Sequence, residues 1–307
     1  MVDGAAPSEP ASTYTFRGNG TLVWYYTDDF TKEKDADSWS GSDPAQTAKD
    51  VKVTENQDST YSVTLFGNSS GPALVVIPDV GSGKAVVIVH KDGTGTVVKK
   101  SLVEDGTARF LLTEDATVRI ADFANHFDDV GGNEWYGDAV DFVSARGLFS
   151  GVSEREFAPG LTLSRGMLAT VLYALEEPKD QPGESGFSDV DRDSWYAQAV
   201  AWASGAGIVS GYGDGQFGPE DPVTREQLAL MLYCYARQLG MDTTGRDSLS
   251  CFADREQVSS WAGEAIAWAV DAGVMGGRTD GTLDPAGTAT RAEAAVMLRQ
   301  FVKLLVG

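Results

Sequence analysis

Between Phe127 and its C-terminus this 307-residue chain writes one unit three times. A chain built that way can bury apolar surface by stacking its copies on one another. The copies open with "FDDVGGNEWY" at Phe127, "FSDVDRDSWY" at Phe187 and "FADREQVSSW" at Phe252. Trp135, Trp195 and Trp261 correspond, as do Gly147, Gly207 and Gly273, then Pro159, Pro219 and Pro285, then Arg165, Arg225 and Arg291. From Trp to Arg the spacing is 30 residues in every copy.

Each unit reads as helix, loop, helix. The first helix is expected to begin at the Trp, with a buried stripe such as Ala199, Val200, Trp202 and Ala203. It should stop at the shared glycine, which suits a left-handed C-terminal cap. A loop of "GYGDGQFGPEDP" type follows, with turn-forming Gly, Asp and Pro. The second helix starts at Ser164, Thr224 or Thr290 as N-cap. Its expected core faces are Leu168, Val171, Leu172 and Leu175, then Leu228, Met231, Leu232 and Tyr235, then Ala294, Met297, Leu298 and Phe301. Two short helices cannot bury such faces alone, so the three units should form one cooperative domain.

The copies differ at the cap. Glu293 and Gln227 stand three residues after Thr290 and Thr224, completing capping boxes. Copy one reads Ser164-Arg165-Gly166-Met167, and Glu154-Arg155 stands where the others have Asp214-Gly215 and Asp280-Gly281. Met167 cannot accept a backbone N–H, so the reciprocal cap is lost, and the groove centred on Arg165 is expected only to complete the three-part core.

Phe-x-Asp-Val, the Trp-led helix, Gly-x-x-x-Gly, Phe-x-Pro and the Thr-Arg-Ala-Glu helix start resemble the S-layer homology (SLH) family, over Phe127 to Gly307. The resemblance implies a pseudo-threefold all-α domain. It also implies non-covalent attachment, in grooves between repeats, to a secondary cell wall polysaccharide, often one bearing pyruvyl ketals, and an extracellular, cell wall or S-layer location.

The residues can be read toward that chemistry. Arg165, Arg225 and Arg291 each occupy a helix first turn, where the dipole disfavours a cation by a few tenths of a kcal/mol. A guanidinium is a planar fork of donors matched to a carboxylate, and the first N–H groups of a helix also attract anions. An acidic sugar is thus the expected ligand of Arg225 and Arg291, with Arg165 as the third candidate, and with Trp135, Trp195 and Trp261 as walls for a sugar ring, or else core. Gly211 and Gly277 would let the backbone approach it closely. Asp129, Asp189 and Asp254 are expected to be structural or to orient the arginines, with Thr224, Thr290 and Glu293 in supporting roles. The competing reading is that each Arg pairs with one of those Asp residues of a neighbouring unit and ties the repeats together.

The first 125 residues look different. Lysine outnumbers arginine there, and short β-branched and aromatic runs alternate with turn residues: "STYTFRG", "GTLVWYYT", "DVKVTE", "TYSVTLFG", "PALVVIP", "KAVVIVHKDG", "GTVVKKSLVEDG", "ARFLLTED" and "ATVRIAD". The expected fold class is therefore multidomain β plus α. An antiparallel, Ig-like β-sandwich over residues 1–125 leads into three repeats (127–178, 187–240, 252–307) within 126–307. "GTARFLLTEDATVRIADFANHFDDV" leaves almost no linker, so close packing of the two parts is expected. "DDFTKEKDADSWSGSDPAQTAKD" reads as a loop, and Trp24, Tyr25 and Tyr26 as core residues before a sugar platform. The β part is read first as a spacer and alternatively as a glycan-binding or glycan-active domain tethered by the repeats.

A net charge of −21 argues against nucleic acid and anionic membranes as partners. No apolar run is long enough to span a bilayer, and "MVDGAAPSEPAST" has no signal-peptide core, so either an intracellular protein or a mature fragment is expected. His90 and His126 sit in no catalytic motif, and no nucleophile elbow, P-loop or zinc-helix signature appears. An enzyme is not expected. "DVDRDSWY" opens like a calcium loop but has Ser194 and Val200 where Gly and Glu are needed. No cofactor or metal is expected, with surface calcium left open. Cys234 and Cys251 are read as separate buried thiols before a bridge.

Overall fold

A computed structural model of the chain describes residues 50–67, 71–81, 83–245 and 249–307. The runs "STYTFRG" and "GTLVWYYT", the Trp24–Tyr26 cluster and nearly all of the long polar stretch before Asp50 lie outside the described residues.

The other strand runs all form strands: β1 (Asp50–Glu55), β2 (Tyr61–Phe66), β3 (Ala73–Ile77), β4 (Ala85–Val89), β5 (Gly95–Val97), β6 (Ser101–Glu104), β7 (Thr107–Leu112) and β8 (Ala116–Ala121). The run "GTVVKKSLVEDG" divides into β5 and β6, which join different sheets. All pairings are antiparallel, in a five-stranded sheet β1-β2-β8-β4-β5 and a three-stranded sheet β3-β7-β6. Period-two patterning turns Ala73, Val75 and Ile77 of β3 and Ala108, Phe110 and Leu112 of β7 inward. There Val75, Ile77, Ala108, Phe110 and Leu112 meet Val63, Val86 and Val118 from the other sheet in one apolar cluster. Asp105 and Gly106, both at positive φ, make the two-residue turn between β6 and β7.

Six helices follow: α1 (Gly137–Ala145), α2 (Arg165–Glu176), α3 (Ala197–Gly205), α4 (Arg225–Gln238), α5 (Gly263–Asp271) and α6 (Arg291–Val306). Each odd-numbered helix starts two residues later than its Trp, which lies in the preceding turn. The stops are where the glycines place them. Gly147, Gly207 and Gly273 sit at φ 61°, 70° and 68°. Each donates its N–H three residues back (to Ser144, Ser204 and Val270), and the next residue reaches five back, to Val143, Ala203 and Ala269. That is the Schellman arrangement. Ser164, Thr224 and Thr290 cap the even-numbered helices. The box is reciprocal for α4 and α6 and one-way for α2, where Met167 stands. All twelve residues of the three expected core faces are buried.

The repeats close on themselves. α2 of the first unit packs on α3 of the second, α4 on α5 of the third, and α6 back on α1 of the first. At the centre, Leu163, Val223 and Ala289 form a ring of backbone hydrogen bonds: Leu163 N–H to Ala289 O at 3.0 Å, Ala289 N–H to Val223 O at 2.9 Å, and Val223 N–H to Leu163 O at 2.8 Å. All three side chains are fully buried. A stack of independent hairpins would have two ends; this ring has none.

The β part and the helices are joined directly. Arg146, 2% exposed, sends its guanidinium to the carbonyls of Ser101, Lys84 and Phe142 and to Ser101 Oγ, over the Phe142 ring. Burial pushes its pKa down to about 9. Lys84 pairs with Asp141, Lys100 with Glu176, and Glu104 with Arg299 and Lys303 at 2.7 and 2.6 Å. Cys234 and Cys251 form no disulfide, and Cys251 is exposed, not buried as the sequence suggests, because it lies in a short surface 3-10 turn (Leu249–Cys251).

Candidate functional site: the grooves between repeats

Each even-numbered helix begins against the loop of the next repeat in the ring, and its first N–H groups are consumed there. Arg165 and Gly166 donate to Asp221 O and Pro219 O, Arg225 and Glu226 to Gly287 O and Pro285 O, and Arg291 and Ala292 to Leu161 O and Pro159 O. The third N–H goes to the cap hydroxyl. The expectation of helix N–H groups open to an anion is therefore corrected: ring closure uses the first two and the helix's own cap the third.

The arginine side chains take the same direction. Arg165 donates from Nε to Phe217 O (2.8 Å) and from Nη2 to Ser210 O (2.9 Å). Arg225 reaches Leu283 O and Gly276 O at 2.8 and 2.9 Å, and Arg291 reaches Phe157 O and Ser150 O at 2.8 and 2.7 Å. Exposure is 6%, 4% and 5%. Arg165 and Arg291 also lie over the Phe217 and Phe157 rings. Each guanidinium thus ties two repeats together through backbone carbonyls. Burial lowers the pKa of all three.

The tie does not run through the aspartates. Asp129 accepts from the N–H groups of Phe157 and Ala158, Asp189 from Phe217 and Gly218, and Asp254 from Leu283 and Asp284, at 2.7–2.8 Å. Each clamps the loop of its own repeat, and that loop presents the carbonyls an arginine from the previous repeat reads. The reading in which each Arg pairs with a neighbouring Asp is replaced by this relay.

Charge separates the three grooves. Arg225 Nη1 meets Glu293 Oε1 at 2.9 Å, with the carboxylate 12% exposed. Arg278 joins the same oxygen at 3.2 Å and also binds Asp284. The other oxygen of Glu293 accepts the Thr290 N–H, so one carboxylate serves its helix cap and a foreign arginine together. In the repeat register Gln227 stands in that place for Arg165 and Met167 for Arg291, and neither arginine has a carboxylate partner among the described residues. Their Nη1 atoms have no protein partner there either. The enclosed side-chain polar atoms without one, among the described residues, are Ser144 Oγ and Trp268 Nε1, so both Nη1 atoms keep contact with solvent.

The glycines answer to packing. A Cβ on Gly211 would fall 2.7 Å from Phe187 Cε1, and one on Gly277 would strike the Phe252 ring and sit 3.0 Å from Thr282 O. Trp135, Trp195 and Trp261 are 66%, 58% and 51% exposed, which removes the core alternative for them. Trp195 meets Tyr196 edge-on at 5.1 Å, and the Tyr196 ring lies 3.3 Å from where a Gly166 Cβ would be. The first groove therefore brings Arg165 of one repeat over the Tyr212 ring of the next and Gly166 against Tyr196, with the exposed Trp195 edge-on to Tyr196. Sequence reading missed Tyr212, whose hydroxyl binds Asp221 and whose ring lies under Arg165. It also missed Glu226, which accepts from Ser259 across the second groove. The signal was position alone, since Tyr212, Arg278 and Val152 occupy one place in three copies with three chemistries. Among the described residues no cluster of His, Cys, Asp and Glu could hold a metal, and no helix is long and apolar enough to cross a membrane.

Comparison with known proteins places these repeats. The family model described as S-layer homology domain matches residues 126–166, 186–229 and 252–295. The amylopullulanase of Thermoanaerobacterium thermosulfurigenes is 30% identical over 196 residues, 63% of this chain and 10% of that protein. The exoglucanase XynX of Acetivibrio thermocellus is 30% identical over 175 residues, 56% of this chain and 16% of its own length. The S-layer protein of Bacillus thuringiensis subsp. finitimus is 28% identical over 199 residues, 64% of this chain and 24% of its own. The matched region is thus a minor part of each relative.

Proposed function

The C-terminal part of this chain carries three tandem S-layer homology domains, and from that premise we propose that it anchors a bacterial surface protein non-covalently to the cell wall. The ligand in this reading is an acidic secondary wall polysaccharide, with a pyruvyl ketal as its carboxylate, and the protein is extracellular. The β part is read as an Ig-like spacer, and the repeats as non-catalytic. The observation that carries the proposal is the pair of buried guanidiniums, Arg165 and Arg291, that have no carboxylate partner among the described residues of a chain of net charge −21. Charge-assisted bonds from such donors to an incoming carboxylate are about twice as strong as neutral ones, and the exposed Trp195 beside the first groove offers a face for a sugar ring. Kinship with S-layer proteins supports the surface location.

The test is co-sedimentation of the whole chain with cell walls before and after the acidic polymer is stripped. Anchoring through the polymer predicts pelleting only with native walls. Equal pelleting with both preparations would rule it out. Kinship with an amylopullulanase and an exoglucanase favours a second reading, in which the β part binds or cleaves a glycan and the repeats tether it. That reading requires new reducing ends when the whole chain is incubated with polysaccharide; none appear if the β part is a spacer.

A further inference from the structure

We propose that the three grooves are unequal and that Glu293 is the residue that sets the count: the Arg165 and Arg291 grooves take the carboxylate of an acidic sugar, and the Arg225 groove is closed to it by its own protein carboxylate. This rests on the anchoring reading and adds which sites the ligand occupies.

The three grooves are equivalent places in the ring. Every groove has the same inner construction: a buried arginine held by two loop carbonyls of the next repeat. What differs is the third residue of the neighbouring helix. Where it is Glu293, its Oε1 binds Arg225 Nη1 at 2.9 Å and Arg278 Nη1 at 3.2 Å, so the donors an acidic sugar would need are already engaged by an anion. The same groove carries a second carboxylate, Glu226, where copy one has Gly166 and copy three Ala292. An incoming carboxylate would meet like charge there. In the repeat register the residue that answers to Glu293 is a neutral amide, Gln227, for Arg165 and a thioether, Met167, for Arg291, and in both grooves the outer Nη1 is unpartnered among the described residues and reaches solvent. The Arg165 groove, which the lost reciprocal cap of copy one set apart from the other two, is thereby kept among the binding grooves.

The fold supplies its own controlled substitution. Glu at the third position of α6 and Gln at the third position of α4 both complete capping boxes. Glu293→Gln therefore keeps the cap and removes the charge opposite Arg225, and Gln227→Glu keeps the cap and adds a charge opposite Arg165. The probe is a methyl hexoside carrying a 4,6-linked pyruvyl ketal, titrated calorimetrically into the whole chain, with its methyl ester as the neutral control and thermal unfolding to verify each variant. Glu293→Gln should bind one equivalent more than the wild type, Gln227→Glu one fewer, and the ester should bind to none of the three. Unchanged stoichiometry in both variants, with the acid still binding the wild type, overturns the inequality of the grooves and leaves anchoring intact. Failure of the wild type to bind the acid overturns the acidic-ligand reading itself.

Discussion

Arg291 reaches back across more than a hundred residues of chain to bind Phe157 O and Ser150 O through Nε and Nη2, and the side chain is 5% exposed. Its replacement should cost folding as well as any ligand. Arg291→Met would strand two carbonyls in a buried site, for a loss of roughly 2–4 kcal/mol, read as a lower urea midpoint with an unchanged slope. A simple loss of wall binding in that variant would therefore say little about the ligand. Glu293 shows how a residue can be legible in one role and hidden in another. Its spacing from Thr290 announces a cap, and the cap is there. Its bond to Arg225 joins positions 68 apart, and nothing local encodes it. The tryptophans reversed the usual expectation for large apolar residues. Sequence leaves their surroundings open, because the helix they were expected to begin starts two residues later and turns them outward.

At the level of elements, the helices follow from local chemistry. Gly207 sits at φ 70° with no atom within 4 Å of where a Cβ would stand, so Gly207→Ala meets backbone strain alone. The cost should be about 1–2 kcal/mol, seen as a lower melting temperature with no change in wall binding. Thr290→Ala removes the hydroxyl that accepts the Glu293 N–H and should cost about 1 kcal/mol, measured the same way. The strands were equally legible where alternation was strict, as in β3 and β7. Their sheet assignments were not. β5 and β6 are separated by three residues yet pair in different sheets, because Val98 and Ser101 are both drawn into the interior between them.

For the whole molecule, closure is the governing fact. α6 packs on α1, so the last repeat completes the first, and a chain ending before Phe252 would leave α4 and α1 without the helices that pack on them, α5 and α6. Such a truncation should unfold without a cooperative transition, whereas the whole helical part should melt in one step by calorimetry. The junction with the β part adds a pH dependence. Hydrogen bonding to Lys303, then Arg299, holds the Glu104 carboxyl below its ordinary value of 4.5. A carboxylate with a depressed folded pKa contributes stability that is present above the unfolded value and lost as pH falls through the folded one. The melting temperature should therefore fall as pH drops below about 4.5, and Glu104→Gln should flatten that fall, followed by thermal unfolding across an acidic series.

By itself the sequence determined the units: their number, their caps, their stops, their buried faces and the place of each arginine. Those depend on hydrogen bonds and side-chain spacing within one turn or one helix, and a linear text carries them in full. Only the tertiary structure decided that the three units form a ring, that helix N–H groups and guanidiniums are spent on the carbonyls of the next repeat, and that one arginine of the three meets a carboxylate. Those outcomes depend on which backbone stands opposite which, and a partner 58 or 134 residues away is fixed by closure rather than by any neighbour along the chain.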